Sequence, residues 1–190
     1  MKKSYKHSLY LILVHYPVVN KHGDVIASAV TNLDLHDIAR AAKTYGVKNF
    51  FVVTPLKDQK ELINKIISHW TIGSGAKYNP DRRDALELVC IKDSLEDVVK
   101  HVVKQCDSRP QVIVTGAKNN SRSIGFDIFR KMIQTDKTYL LVFGTAWGLS
   151  EKFISEADYV LEPIKGCTNY NHLSVRSAAS IILDRLLGRN

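Results

Sequence analysis

The chain has 190 residues, of which 45% are hydrophobic and 24% charged. That suffices for one domain with a sizeable core and excludes an intrinsically disordered chain. Lys and Arg number 27 against 19 Asp and Glu, a net charge of +8, and a field of that sign favours phosphate-rich partners. No apolar run approaches membrane-spanning length. The absence of a GxxxxGKS/T loop argues against an ATP-hydrolysing P-loop enzyme. Cys90, Cys106 and Cys167 are odd in number and show no CxxC spacing. Cys90 and Cys106 read as idle or buried thiols in the reducing cytoplasm, with no metal site expected.

The first apolar run, Leu9–Val14, follows Lys2, Lys3 and Lys6. His15, Tyr16 and Pro17 stand where a signal peptide would place small residues, so the run reads as a buried strand. The loop 16–30 is long for a compact domain and is a candidate functional loop. Thr31, with Asp34 three residues on, opens a predicted helix near Leu33–Tyr45, which Gly46 closes. A strand at Lys48–Thr54 and a helix at Asp58–Trp70 follow, then a second long loop over 71–80. Next come a strand at Leu86–Ile91 and a helix at Leu95–Gln105, opened by Ser94 with Asp97. Strand Gln111–Thr115, helix Ile124–Gln134 and strand Thr138–Phe143 lead to a short helix from Ser150, strand Asp158–Leu161 and a last helix, Leu173–Leu187. The strands are nearly continuous apolar runs, as in parallel strands covered on both faces. Their alternation with helices predicts an α/β fold, a mostly parallel sheet flanked by helices, in a single domain over 1–190.

Two late loops follow strand ends, where open α/β sheets bind ligands. Gly144-Thr-Ala-Trp-Gly148 reads either as a tight turn or as a close-approach cradle for a nucleoside. Glu162, 18 residues after Gly144, stands where an acidic side chain can hold a ribose hydroxyl. The segment from Glu162 to His172 is rich in turn formers and donors, and its plain reading is a long loop with Asn171 capping the last helix. On the first helix, Asp34, Asp37 and Arg40 share a face, which alone reads as a solvated, ion-paired surface. His15, His36, His69 and His172 are scattered, and isolated histidines are usually structural. Lys77, Arg82 and Arg83, interleaved with Trp70 and Tyr78, form a candidate RNA patch or a plain surface loop with a short helix starting at Asn79-Pro-Asp. Lys118 and Arg122 form a second basic candidate.

Three segments together resemble the SPOUT, or α/β-knot, RNA methyltransferases. DIARAAKTYGV is similar to that superfamily's first motif, LVFGTAWGLS to its second, and LEPIKGCTNYNHLSVRSAASIIL to its third. LVHYPVVNKHG, TNLDLHDIAR, NPDRRDALELV and YNHLSVRSAASIILDRL extend the likeness to a small stand-alone bacterial family within it. The resemblance implies a C-terminal deep trefoil knot and S-adenosylmethionine held in a bent form. The implied cofactor positions are Thr115, Gly144, Gly148, Leu161, Glu162, Ile164, Gly166, Asn171, His172 and Leu173. It also implies a homodimer with a shared active site, consistent with a last helix apolar on more than one side.

The sequence departs from the ribose-methylating branch at three places. Asp34 takes the first-motif asparagine's position, with Asn32 two residues away; Ala146 or Trp147 replaces a glutamate; and His172 or Asn171 falls at the third-motif asparagine. The implied activity is methyl transfer to tRNA or rRNA, with Arg40, Asp34 and Asn32 as catalytic candidates and a ribose 2′-hydroxyl favoured over a base nitrogen because Arg40 is retained. A non-catalytic RNA-binding knot protein is the alternative. A Rossmann-type oxidoreductase is weaker still, because GTAWG is not GxGxxG and follows a late strand.

Overall fold

The computed structural model describes residues 8–189, so Lys2, Lys3 and Lys6 lie outside the described residues. Helices and strands alternate along the chain. The first half comprises β1 (Ser8–Val14), β2 (Val18–Val19), β3 (Val25–Ile26), α1 (Asn32–Thr44), β4 (Phe50–Val53), α2 (Lys57–Thr71), α3 (Ser74–Tyr78), α4 (Pro80–Leu86) and β5 (Val89–Lys92). The second half comprises α5 (Leu95–Cys106), β6 (Gln111–Val114), β7 (Ser123–Ile124), α6 (Phe126–Ile133), β8 (Thr138–Gly144), α7 (Glu151–Glu156), β9 (Tyr159–Leu161) and α8 (Val175–Leu187).

The main sheet has seven strands in the order β5-β4-β1-β8-β6-β9-β7, and every pairing in it is parallel. All strand C-termini therefore open onto one edge. Side chains alternate across the sheet, and β1 is apolar on both faces. Leu9, Leu11 and Leu13 pack with α1, α2, α4, α6 and α8, while Tyr10, Ile12 and Val14 pack with α5 and α7. This three-layer burial explains the unbroken apolar runs.

Local signals place the helix ends. Thr31 Oγ1 accepts from the Asp34 amide at 3.2 Å and donates to the Asp34 carboxylate at 2.7 Å. Ser94 and Asp97 repeat this at 3.1 and 3.0 Å. Gly46 adopts φ 70° beyond α1, the left-handed geometry of a helix exit.

Several sequence expectations need correction. Leu86 closes α4 instead of opening a strand, and the edge strand begins at Val89. Asn79 caps α4 through Arg82 N, with Pro80 at its first position, so the helix-start reading of Asn79-Pro-Asp holds. The loop 16–30 contains the antiparallel hairpin β2–β3, and 71–80 contains α3. The last helix is capped by Ser174 and not by Asn171.

The centre of the sheet should dominate stability. Leu11 is fully buried in β1, so Leu11→Ala is expected to lose about 2–5 kcal/mol, read as a lower urea midpoint with an unchanged slope.

Candidate active site at the carboxyl edge of the sheet

β1 and β8 pair from Ser8↔Thr138 to Val14↔Gly144, and this register brings two connecting loops together. The β8 loop turns at once. A Cβ on Gly144 would lie 2.7 Å from the Leu149 amide, so only glycine fits there. The loop then passes through left-handed Ala146 (φ 53°) and Gly148 (φ 106°). It is hydrogen-bonded to the hairpin twice, Trp147 N to Val19 O at 3.1 Å and Val19 N to Gly148 O at 3.0 Å.

Beneath this junction runs a buried polar chain. His15 Nδ1 lies 3.0 Å from Ser28 Oγ, Ser28 Oγ lies 2.5 Å from Thr145 Oγ1, and Thr145 Oγ1 donates to Val14 O at 2.9 Å. Because the threonine proton goes to the carbonyl, Ser28 donates to Thr145 and accepts from His15. The imidazole thus carries its proton on Nδ1, and its fully buried Nε2 has no partner. Burial pushes the His15 pKa down to about 4, against the opposing pull of the Asp34 carboxylate and the carbonyls of Ser28 and Ala29.

The predicted cofactor positions converge on the loops after β6, β8 and β9. Thr115 immediately follows β6, its amide and Oγ1 both donating to Val142 O at 2.9 and 3.0 Å. Leu161 is buried at the end of β9, Ile164 is half-buried, and Gly166, His172 and Leu173 are exposed. Asn171 Nδ2 donates to Ala117 O at 2.9 Å, tying the segment after β9 to the loop after β6. Gly116, Gly148 and Gly166, one on each of these loops, have no atom within 4 Å of a would-be Cβ. That open space beside backbone donors and acceptors fits a nucleoside-bearing cofactor. Glu162 departs from expectation. Its Oε1 accepts from Phe126 N at 2.9 Å and stabilises the start of α6, so it is committed to the fold instead of being free for a ribose. This weakens the motivation for an oxidoreductase.

The catalytic candidates lie on α1. Asn32 is exposed at its first position. Asp34 is buried, with its carboxylate held by Thr31 and, at 3.3 Å, by Arg176 Nη1 from α8. Arg176 Nε also lies 3.5 Å from the Asp37 carboxylate. Arg176 and Arg40 line one groove between α1 and α8, with Asp37, Tyr45 and Ser180. The Arg40 side chain is exposed and makes no hydrogen bond or ion pair with another described residue. Sequence reasoning missed Arg176. Its only signal was a charged residue in the otherwise small-residue start of the last helix.

The basic candidates separate. Lys77 and Lys118 are exposed. Arg82 stacks over Trp70 at 4.4 Å, and Arg83 is paired with Asp84 at 3.0 Å and Glu87 at 3.7 Å. Arg122 donates to Ile154 O at 2.7 Å, at the end of α7. Arg82, Arg83 and Arg122 are thus engaged structurally. Among the described residues, no group of three or more His, Cys, Asp or Glu is placed to hold a metal.

His15 should leave a pH signature on stability. Between its ordinary value of 6.5 and about 4, only the unfolded chain protonates it, so it draws stability down as pH falls through that window. His15→Asn should therefore show a shallower fall in melting temperature across the same range. A slope equal to the wild type's would assign the loss to other groups.

A family model described as SAM-dependent RNA methyltransferase matches residues 8–188. A tRNA (guanine-N(1)-)-methyltransferase of Oleidesulfovibrio alaskensis is 44% identical over 181 residues, covering 95% of this chain and 42% of that protein. The chain thus spans less than half the length of that relative. An uncharacterized protein of Aquifex aeolicus is 38% identical, covering 96% of this chain and 90% of its own. The solved structure of an Aquifex aeolicus TrmH/SpoU tRNA modifying enzyme shares the fold, with a TM-score of 0.53 and 18% identity over 95% of this chain and 74% of that one. The chain belongs to the SAM-dependent RNA methyltransferase family.

Proposed function

We propose that this protein methylates tRNA in the cytoplasm, acting as a homodimer on a ribose 2′-hydroxyl, with the cofactor held by the loops after β6, β8 and β9. The observation that carries this reading is the unpaired guanidinium of Arg40 in the α1–α8 groove. S-adenosylmethionine supplies an activated methyl group, so the protein must position the acceptor and manage one proton. Arg40 stays protonated at any working pH, which suits it to stabilise a developing alkoxide or orient a phosphate and not to act as a base. Arg176, braced by Asp34 and Asp37, presents a second cation to the same groove. Gly116, Gly148 and Gly166 leave room for the cofactor.

The geometry of α1 supports the homodimer. Arg40 lies eight residues after Asn32, roughly 12 Å along the helix from the carboxyl edge. A second copy packed on the α1–α8 face would bring its Arg40 to the first copy's loops, and the half-buried Ala41 and Ile181 give that face an apolar component. A trefoil knot is part of this reading. The tie between Asn171 and Ala117 supports it by laying the segment after β9 across the loop after β6.

A second reading is methylation of guanine N1, favoured by the name of the 44% identical relative. A ring-nitrogen acceptor wants a carboxylate to take its proton. Asp34 is buried against Arg176 and Thr31, so Asp37, on the groove itself, fills that role better.

Radiolabelled S-adenosylmethionine and RNA lacking the modification separate these readings after digestion to nucleosides. The first reading expects label on a 2′-O-methyl nucleoside, the second on 1-methylguanosine. Absence of both label and cofactor binding would favour a non-catalytic RNA-binding protein. Arg40→Ala should lower transfer by about 10²–10³-fold and leave S-adenosylmethionine affinity unchanged in a calorimetric titration. Undiminished turnover would overturn the role of Arg40.

A further inference from the structure

The hairpin β2–β3 and the indole side chain of Trp147 have been given no chemical role so far. Trp147 is 67% exposed, an unusual placement for a large aromatic side chain. Its backbone is nevertheless fixed on both sides. The residue before it, Ala146, is a non-glycine residue in the left-handed region, and Gly148 after it is also left-handed. Such a conformation persists only where its surroundings impose it. Here they do. Trp147 N donates to Val19 O, Gly148 N donates to Thr145 O at 2.9 Å, Val19 N donates to Gly148 O, and Val18 bridges Leu149.

The hairpin that braces Trp147 is itself stiffened at both ends. At its tip, Asn20 Oδ1 accepts from His22 N at 2.8 Å and Asp24 N at 3.1 Å, and Asn20 Nδ2 donates to Asp24 at 3.0 Å. At its root, Ser28 N donates to His15 O at 2.8 Å, above the His15–Ser28–Thr145 chain. A strained loop on a stiff brace thus holds one large aromatic ring out toward solvent, on the loop that the cofactor is proposed to use.

We propose that Trp147 is the stacking platform for an unstacked nucleobase of the substrate RNA, presented by the hairpin and the β8 loop as one rigid unit. This rests on the RNA methyltransferase reading above and deepens it. A nucleotide that is to be modified must leave its stack, and its base then needs a flat apolar surface to replace the lost neighbour. An indole supplies that surface for any base, so Trp147 contributes to RNA affinity without specifying sequence. Exposed Lys21 on the hairpin tip is placed for a flanking phosphate. Trp147 would act as a positioning residue, holding the acceptor nucleotide while the groove arginines act.

The protein carries two tryptophans, Trp70 and Trp147, and Trp70 lies under Arg82. A Trp70→Phe background therefore makes fluorescence a direct report on Trp147. Titration with a mixed-sequence single-stranded octaribonucleotide should quench it saturably, and S-adenosylmethionine alone should not. Trp147→Ala should weaken binding of that oligonucleotide about tenfold or more, with cofactor affinity and melting temperature unchanged, and Trp147→Phe should restore most of the loss. Quenching by S-adenosylmethionine with no further effect of RNA would make Trp147 part of the cofactor pocket and overturn the proposal. So would a change in sedimentation of Trp147→Ala without RNA, which would assign the ring to a contact between copies. Oligonucleotide affinity equal to the wild type's would overturn this inference alone. A wild-type protein that bound neither the oligonucleotide nor tRNA would overturn both it and the functional reading.

Discussion

The parallel pairing of β1 with β8 is the constraint on which the rest depends. It joins the first strand of the chain to one of the last, and the hydrogen bond from Thr145 Oγ1 to Val14 O closes a separation of 131 residues. Pairing over such a distance carries a large loop-closure cost, offset here by burying both faces of both strands. Once Val14 faces Gly144, the loop after β1 and the loop after β8 must leave the sheet side by side. The hairpin, the buried histidine chain and the glycine loop all follow from that register. A slip by one residue would exchange the two faces of β1 and separate these groups together.

The charge of the chain is spread among different tasks. Arg82 lies over Trp70, Arg185 over Phe126, and Arg130 and Arg122 bond backbone carbonyls. Such arginines contribute packing and hydrogen bonds as well as charge. Arg40, on the same groove as Arg176, makes no hydrogen bond or ion pair through its side chain with another described residue, which leaves its guanidinium available there. Arg176 stands between the two classes. It neutralises a buried carboxylate while still lining the groove.

The legibility of the sequence followed the range of the interactions involved. Thr31 with Asp34 and Ser94 with Asp97 are contacts within one helical turn, and both were readable from spacing. The strands were readable because burial on both faces leaves long apolar runs. The two-residue strands β2, β3 and β7 are too short to carry a period, and their pairing partners decide their existence. Asn171 looked like a cap because asparagine favours helix starts, but its amide is drawn to Ala117, 54 residues away, leaving Ser174 to cap. Glu162 and Arg176 were hidden for the same reason. Their partners, Phe126 and Asp34, lie 36 and 142 residues away and are fixed only by the packed sheet. The motif resemblance singled out these loops, while the division of labour within them required the fold.

The central claim is that the carboxyl edge of the sheet, at the loops after β6, β8 and β9, is where this chain holds its methyl donor. The most direct measurement is a crystal structure with S-adenosylhomocysteine bound. The account predicts the nucleoside among Thr115, Gly148, Ile164 and Gly166, with the sulfur directed toward the α1–α8 groove of a second copy. A nucleoside seated elsewhere, such as the cleft between β5 and α5 lined by Lys92 and His101, would contradict it.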